Sequence, residues 1–302
     1  MGPGLTRLGR GLAYSQCMAD QTNHRQIVVG MIPISSVKNP RVKEAARLRD
    51  SRHRQKQGRI IIDGARELVR AMAAGISMHE IFVCPSLCHT DEARDFLSRL
   101  PEVATDVLEV TPQVFEKLAF GARAEGVLGV AAAPDASLER LILPNNPLVA
   151  VIEGAEKPGN IGAIARTADA AGLSAMVVAE GRTDLYNPNA IRASLGTLFS
   201  LPVAAASTAG TIDWLRSRGL RIFAARVDGN VLYTEADFCG PSALVLGSES
   251  QGLTGAWSGG GIVGIRLPML GVADSLNVSA TAAVLFYEAR RQRGIVSGAG
   301  PA

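Results

Sequence analysis

Aromatic residues make up only 5% of this 302-residue chain, so ring stacking cannot build its core; with 47% hydrophobic residues, that task falls to Ala, Val, Leu and Ile. Such a composition suits layered α/β structure, and the length allows two modest domains or one large one. No apolar run approaches the roughly 18 residues of a membrane span. Four cysteines (Cys17, Cys84, Cys88, Cys239) are too sparse for a disulfide scaffold, which points to a reducing cytoplasm. Histidine is absent from the second half: His24, His53, His79 and His89 all precede residue 90. Ser-His-Asp or metal–histidine chemistry built within that half is therefore disfavoured. His79, Cys84, Cys88 and His89 do fall close together, but Cys84 belongs to the apolar run IFVC and the spacing matches no common zinc knuckle, so no metal is expected.

Charge of one sign is also lacking where the chain is most regular. Between Leu148 and Arg293, 12 basic and 12 acidic residues cancel, so the net charge of +3 has its source earlier. The excess is sharpest in RVKEAARLRDSRHRQKQGR (41–59), with eight Lys/Arg against two acids. Two readings stay open there: a solvated helix face, or a helical arm whose Arg41, Lys43, Arg47, Arg49, Arg52, Arg54 and Arg59 contact the phosphates of a nucleic acid. Residues 1–35 carry Arg7 and Arg10, no acid before Asp20 and no signal-peptide apolar stretch. A disordered tail or mis-started segment fits them better than a transit peptide.

What is present reads as two α/β units. RIIID (59–63), HEIFVC and GVLGVAAA are strand-like; GARELVRAMAAG and DEARDFLSRL have helical spacing. A substrate-binding unit is expected over 36–134, a Pro/Asn-rich linker over 135–147, a second unit over 148–295 and a flexible tail over 296–302. In the second unit LVAVI, AMVVAE, LPVAAA, RIFAARV, SALVLG and VGIRLP alternate with helical patterns at 161–171, near 189–199, at TIDWLRSRG and from about 275 to 292. Buried β-rich runs separated by helices predict a mostly parallel sheet with helices on both faces. No internal repeat is evident.

Three stretches carry candidate chemistry. EGAEKPGNIGAIARTADAAG (153–172) outlines a phosphate-gripping loop, yet Asn160 and Ile161 replace the Lys and Ser/Thr that a P-loop needs, and Gly-x-Gly-x-x-Gly does not occur. Asn160 is placed to cap the following helix, with Pro158-Gly159 making the turn. Ile161, Ile164, Ala165 and Ala168 share one face and Arg166 falls opposite. GSESQG (247–252) puts Glu249 after a buried strand, without the spacing of a nucleophile elbow. IRLPMLGVADSLNVSATAAVLFYEARRQR (265–293) places Ser275 and Asn277 at the mouth of the last helix, where a plain cap is the simpler role.

Taken in order, NIGAIARTADAAG, LVLGSESQGL and IRLPMLGVADSLNVSATAAVLFYE, with IRASLGTLFSLPV (191–203), resemble the SpoU (TrmH) branch of the SPOUT RNA methyltransferases. IIIDGARELVRAMAAG…IFV…GVLGVAAAP resembles that family's amino-terminal RNA-binding domain, related in shape to a ribosomal protein. The resemblance implies a trefoil-knotted catalytic domain, a homodimer packed through the knots, and S-adenosylmethionine held by Leu246, Gly247, Ile265, Leu267, Pro268, Ser275 and Leu276. It implies catalytic roles for Asn160, Arg166, Glu249, Ser275 and Asn277, with Arg166 facing RNA. The implied reaction is 2′-O-methylation of a ribose, in ribosomal RNA ahead of transfer RNA; an inactive RNA-binding or ribosome-assembly factor is the alternative from another class.

Overall fold

Alternation along single strands explains the layering. The computed structural model describes residues 31–100, 106–120 and 125–294, and its strands form two sheets. The expectations for residues 1–30 and 296–302 lie outside the described residues, as do Cys17 and His24. The first sheet holds β1 (Ile32–Ile34), β2 (Arg59–Asp63), β3 (Met78–Val83), β4 (Asp106–Val110) and β5 (Val127–Ala132), in the order β1-β4-β3-β5-β2. β5 runs antiparallel to β2 and β3, while the other pairings are parallel. Around it lie α1 (Pro40–Arg47), α2 (Ser51–Gln57), α3 (Ala65–Ala73), α4 (Asp91–Arg99) and α5 (Pro112–Leu118). In β2, Ile60 and Ile62 pack with Leu68 and Phe96 from α3 and α4, while Ile61 points to Val42 and Phe115 from α1 and α5. That is the period of two expected of a strand buried on both faces.

The second sheet is wholly parallel. Its strands are β6 (Leu148–Glu153), β7 (Ala175–Ala179), β8 (Val203–Ala206), β9 (Arg221–Ala225), β10 (Val231–Leu232), β11 (Ser242–Leu246) and β12 (Ile262–Arg266). They are ordered β10-β12-β9-β11-β6-β7-β8. The helices are α6 (Pro158–Ala170), α7 (Pro188–Ala193), α8 (Thr197–Ser200), α9 (Thr208–Ser217) and α10 (Val278–Gln292). Leu148, Ala150 and Ile152 of β6 pack with Ile161 and Ile164 of α6 and Phe286 of α10. Val149 and Val151 face the opposite layer, with Leu215 of α9 and Trp257. The all-buried pattern of β6, β7 and β11 follows from this two-sided cover.

Several sequence expectations need correction. β1 falls inside the segment expected to be a tail; three residues with a central proline give no periodic signal, and only pairing with β4 makes them a strand. Within the segment 135–147, Leu138 and Leu141 are buried against the second sheet. The helix expected near 189–199 is two helices, broken where Leu195 (φ 55°) and Gly196 (φ 82°) turn left-handed. That break is held from the other unit: Arg70 donates to the Leu195 carbonyl at 2.7 Å, and a Cβ on Gly196 would lie 3.0 Å from Glu67 Cα.

Arg54 was expected to contact phosphate and instead joins the two units. It is 4% exposed, forms a two-pronged ion pair with Asp184 and donates to the carbonyls of Leu48 (2.6 Å) and Arg49 (2.8 Å). Truncating one partner of a buried pair leaves an uncompensated charge and typically costs about 3–5 kcal/mol. Arg54→Ala should therefore lower stability by about 3 kcal/mol or more in urea denaturation, whereas Arg52→Ala, on an 88% exposed side chain, should change it little. Equal, small effects from both would contradict the bridging role.

Candidate active site

The carboxyl ends of β9, β11 and β12 border a pocket of about 690 Å³. Loops at the carboxyl ends of parallel strands are the usual place for ligands in such sheets. Leu246, Gly247, Ile265, Leu267, Ser275 and Leu276, all expected to hold cofactor, line this pocket; Pro268 does not. Gly247 admits no side chain, because a Cβ there would meet the backbone of Gly252 at 2.3 Å and of Leu253 at 2.5 Å. The loop closes on itself through reciprocal bonds between Ser248 and Gly252.

Glu249 is the centre of the polar side. Its Oε1 accepts from Asn160 Nδ2 at 2.6 Å and from Asn277 Nδ2 at 2.8 Å. Its Oε2 pairs with Lys157 Nζ at 2.8 Å. The Lys157 ammonium above all, then the two amides, holds the Glu249 carboxyl below the usual carboxylate range, against some desolvation. In return the carboxylate raises the Lys157 ammonium. Three segments far apart in sequence are thereby tied: the start of α6, the loop after β11 and the start of α10.

The asparagines differ in how they do this. α6 begins at Pro158, with Lys157 at the N-cap position and no side-chain cap, so Asn160 is not the cap that sequence suggested. Proline at the first helical position sets the start instead, and the sharp turn sits at Gly154 (φ 65°), not at Pro158-Gly159. Asn160 is thus free to donate to Glu249. Asn277 does cap α10, its Oδ1 accepting from Ser279 N at 2.9 Å, while its Nδ2 donates to Glu249. The cap and the tie to Glu249 thus use opposite atoms of one amide.

Ser275 lines the pocket and is exposed. Arg166 stands apart: it is exposed on the outer face of α6, does not line the pocket, and forms no ion pair among the described residues. On the helical arm, Lys43, Arg47, Arg49 and Arg52 are exposed, Arg59 is half-buried and Arg41 pairs with Glu80 and Asp106. Sequence reasoning missed Lys157 and the Ala225–Asp228 wall after β9. Neither carries a motif; recognising β9 as a parallel strand whose carboxyl end adjoins β11 would have located the latter.

Among the described residues no helix is long and apolar enough to cross a membrane, and no three His, Cys, Asp or Glu side chains gather as a metal site.

Comparison with known proteins adds the relatives. Residues 147–287 match the SpoU rRNA methylase family, and residues 39–129 match an MRM3-like substrate-binding domain. A 23S rRNA (uridine(2479)-2′-O)-methyltransferase from Streptomyces viridochromogenes is 31% identical over 249 residues, covering 80% of this chain and 85% of the relative. A solved RNA 2′-O ribose methyltransferase is 41% identical, with a TM-score of 0.77 over 87% of this chain and 99% of that one. The SpoU methyltransferase AviRb from Streptomyces viridochromogenes, solved in complex with AdoMet, is 28% identical with a TM-score of 0.79, over 87% of this chain and 100% of its own. By its two matched domains and its likeness across most of the length of these relatives, the chain belongs to the SpoU rRNA methylase family.

Proposed function

We propose that this protein is an S-adenosylmethionine-dependent methyltransferase that modifies a ribose 2′-hydroxyl of ribosomal RNA. The observation that carries the reading is the Glu249 tie at the mouth of the pocket, which gathers Asn160 and Asn277 beside the loops expected to hold cofactor. The pocket fits the group: Leu246, Ile265, Leu267 and Leu276 offer apolar wall to an adenosine, while Ser248, Ser275 and Asn277 add polar side chains to the same lining. Bound there, the cofactor supplies an electrophilic methyl group. The chain's own part is positioning and charge. The ionised Glu249 orients the amides of Asn160 and Asn277. Ser275 and Asn277 present polar atoms to the ribose.

A guanidinium rarely gives up its proton in proteins, so this reading assigns Arg166 a part other than the base. In this reading it clamps the RNA phosphate next to the target and stabilises the oxyanion forming on the ribose, while solvent or phosphate takes the proton. Since Arg166 lies outside its own pocket, the reading includes a homodimer in which it serves the partner's. The exposed Val284 and Tyr287 of α10 support an apolar contact there. A trefoil knot through the 262–292 stretch is part of the same proposal, supported by α10 returning onto α6 after β12 inserts beside β9. So are a cytoplasmic location, an RNA-binding unit over 36–134 with its exposed cations Lys43, Arg47, Arg49 and Arg52, and a methyltransferase unit over 148–295.

Mapping 2′-O-methyl sites in ribosomal RNA with and without the gene tests the reading: one site should vanish, and an unchanged map would overturn it. Arg166→Ala should slow single-turnover methylation by roughly 100-fold, the scale of losing one charge-stabilising donor, with cofactor affinity unchanged. Arg166→Lys should recover little, because the fork is lost. A rate within about threefold of wild type, under 0.7 kcal/mol, would return Arg166 to a surface role.

The Glu249 tie also predicts a pH effect. A carboxyl lowered in the folded state contributes above its ordinary value of 4.5 and loses that contribution as pH falls through the lowered one. Removing the Lys157 ammonium should raise that lower limit, so Lys157→Met should lose cofactor binding at a higher pH than wild type in calorimetric titrations. Coincident acid limbs would show that Lys157 does not hold Glu249.

A further inference from the structure

A second crevice, of about 870 Å³, opens at the carboxyl ends of β6 and β7 beside the pocket already described. Its place in the topology is telling. β6 and β11 are neighbours, but the chain leaves them for opposite faces: after β6 to α6, whose Ile161 and Ile164 pack on one side, and after β11 to Trp257, which packs on the other. Adjacent strands with diverging exits leave a gap between their loops, and in open parallel sheets that gap is where ligands bind.

The crevice adjoins a cavity on either side. Ser248, Gln251 and Gly252 form the wall it shares with the cofactor pocket. At its far end Glu180 and Arg182 also border a groove that runs past Arg49 and Arg52 of the amino-terminal arm. The groove beside the arm, this crevice and the cofactor pocket thus lie next to one another in that order. Arg182 stands at the junction. It is 57% exposed, and its guanidinium bonds Glu156 Oε1 at 2.7 Å and Gln251 Oε1 at 3.2 Å. Glu180 beside it has φ 46°, one of two non-glycine residues with positive φ among the described residues. Its conformation is held by bonds from Glu180 N to Ala206 O (3.0 Å) and from Thr208 N to its own Oε1 (3.3 Å). Strain of this kind persists where surrounding structure fixes it, and it concentrates at binding sites.

We propose that this crevice seats a nucleoside of the RNA strand next to the methylated ribose, with Arg182 on the adjoining phosphate. The inference rests on the RNA reading above and adds the route by which the strand reaches the pocket. Glu180 and the exposed Asp213 of α9 form no ion pair among the described residues; as acceptors they suit the N–H groups of a base and repel phosphate, and since Arg216 is turned to the Gly260 carbonyl (3.1 Å) the phosphate falls to Arg182 at the rim. In the free protein Glu156 and Gln251 hold that guanidinium; on binding it exchanges Glu156 for phosphate.

The test uses the full chain, a short fluorescein-labelled single-stranded RNA read by anisotropy across a salt series, and calorimetric titration of S-adenosylmethionine. Arg182→Gln should lower the log–log salt slope by about 0.7, one phosphate contact on a single strand, and leave cofactor affinity intact. Glu156→Gln, which frees Arg182, should keep the wild-type slope and bind RNA as well or better. Ala209→Trp, filling the crevice from the first turn of α9, should raise the RNA Kd by about tenfold. If Arg182 merely braces the loops, Arg182→Gln and Glu156→Gln will weaken cofactor binding together and leave the slope alone, which overturns the proposal. RNA affinity unchanged in Ala209→Trp also overturns it. A wild-type protein that binds no RNA would overturn the functional reading itself, whereas wild-type binding matched by every variant overturns only the crevice.

Discussion

One carboxylate, that of Glu249, holds the candidate active site together. It accepts from Lys157, Asn160 and Asn277, which belong to helix starts more than a hundred residues apart in the chain. Without it the loop after β11 would keep its Ser248–Gly252 bonds and its ties to Glu153, Glu156 and Arg182, but the bonds that join it to Asn160 of α6 and Asn277 of α10 at the pocket mouth would be lost. Charge-assisted bonds to a partly exposed carboxylate are stronger than neutral ones, and three of them converge here. The apolar face of α6 supplies the rigid backing, since Ile161, Ile164, Ala165 and Ala168 are fully buried. Packing places the helices; the carboxylate sets their ends.

A second constraint couples the site to the rest of the chain. Arg54, Arg70 and Arg192 each cross between the two sheets, to Asp184, the Leu195 carbonyl and the Phe120 carbonyl. One apolar cluster runs from Ile60 and Leu68 through Ile161 to Phe286. The loop after β7, which carries Arg182 and Asp184, is therefore fixed by both units, and so is any route for RNA along it. Asp63 lies in the same region, buried and pushed up to about 6, with Phe120 N donating to it at 2.7 Å.

Much of this was legible in the residues, for physical reasons that also mark the limit. β6, β7 and β11 are buried on both faces, so they appear as unbroken apolar runs, and α6 shows a clean 3.6-residue stripe. β1 and β4 escaped notice because their burial comes from partners distant in sequence. Asn160 was misread as a cap because propensity favours asparagine there, yet Pro158 had already started the helix. Arg54 looked like its exposed neighbours Arg49 and Arg52; only the approach of Asp184 separates it from them. The pocket loops were legible through resemblance, whereas the wall after β9 and the crevice between β6 and β11 are products of strand order, which no local pattern encodes.

The central claim is the chemistry at the ribose, and the position of the transferred methyl tests it most directly. A 2′-O-methyl group blocks alkaline cleavage of the adjoining phosphodiester, whereas a methyl on a base does not. Ribosomal RNA incubated with the protein and methyl-labelled S-adenosylmethionine, then hydrolysed in alkali, should release its label in alkali-resistant dinucleotides. Label in mononucleotides, or none transferred to any RNA, would contradict the account.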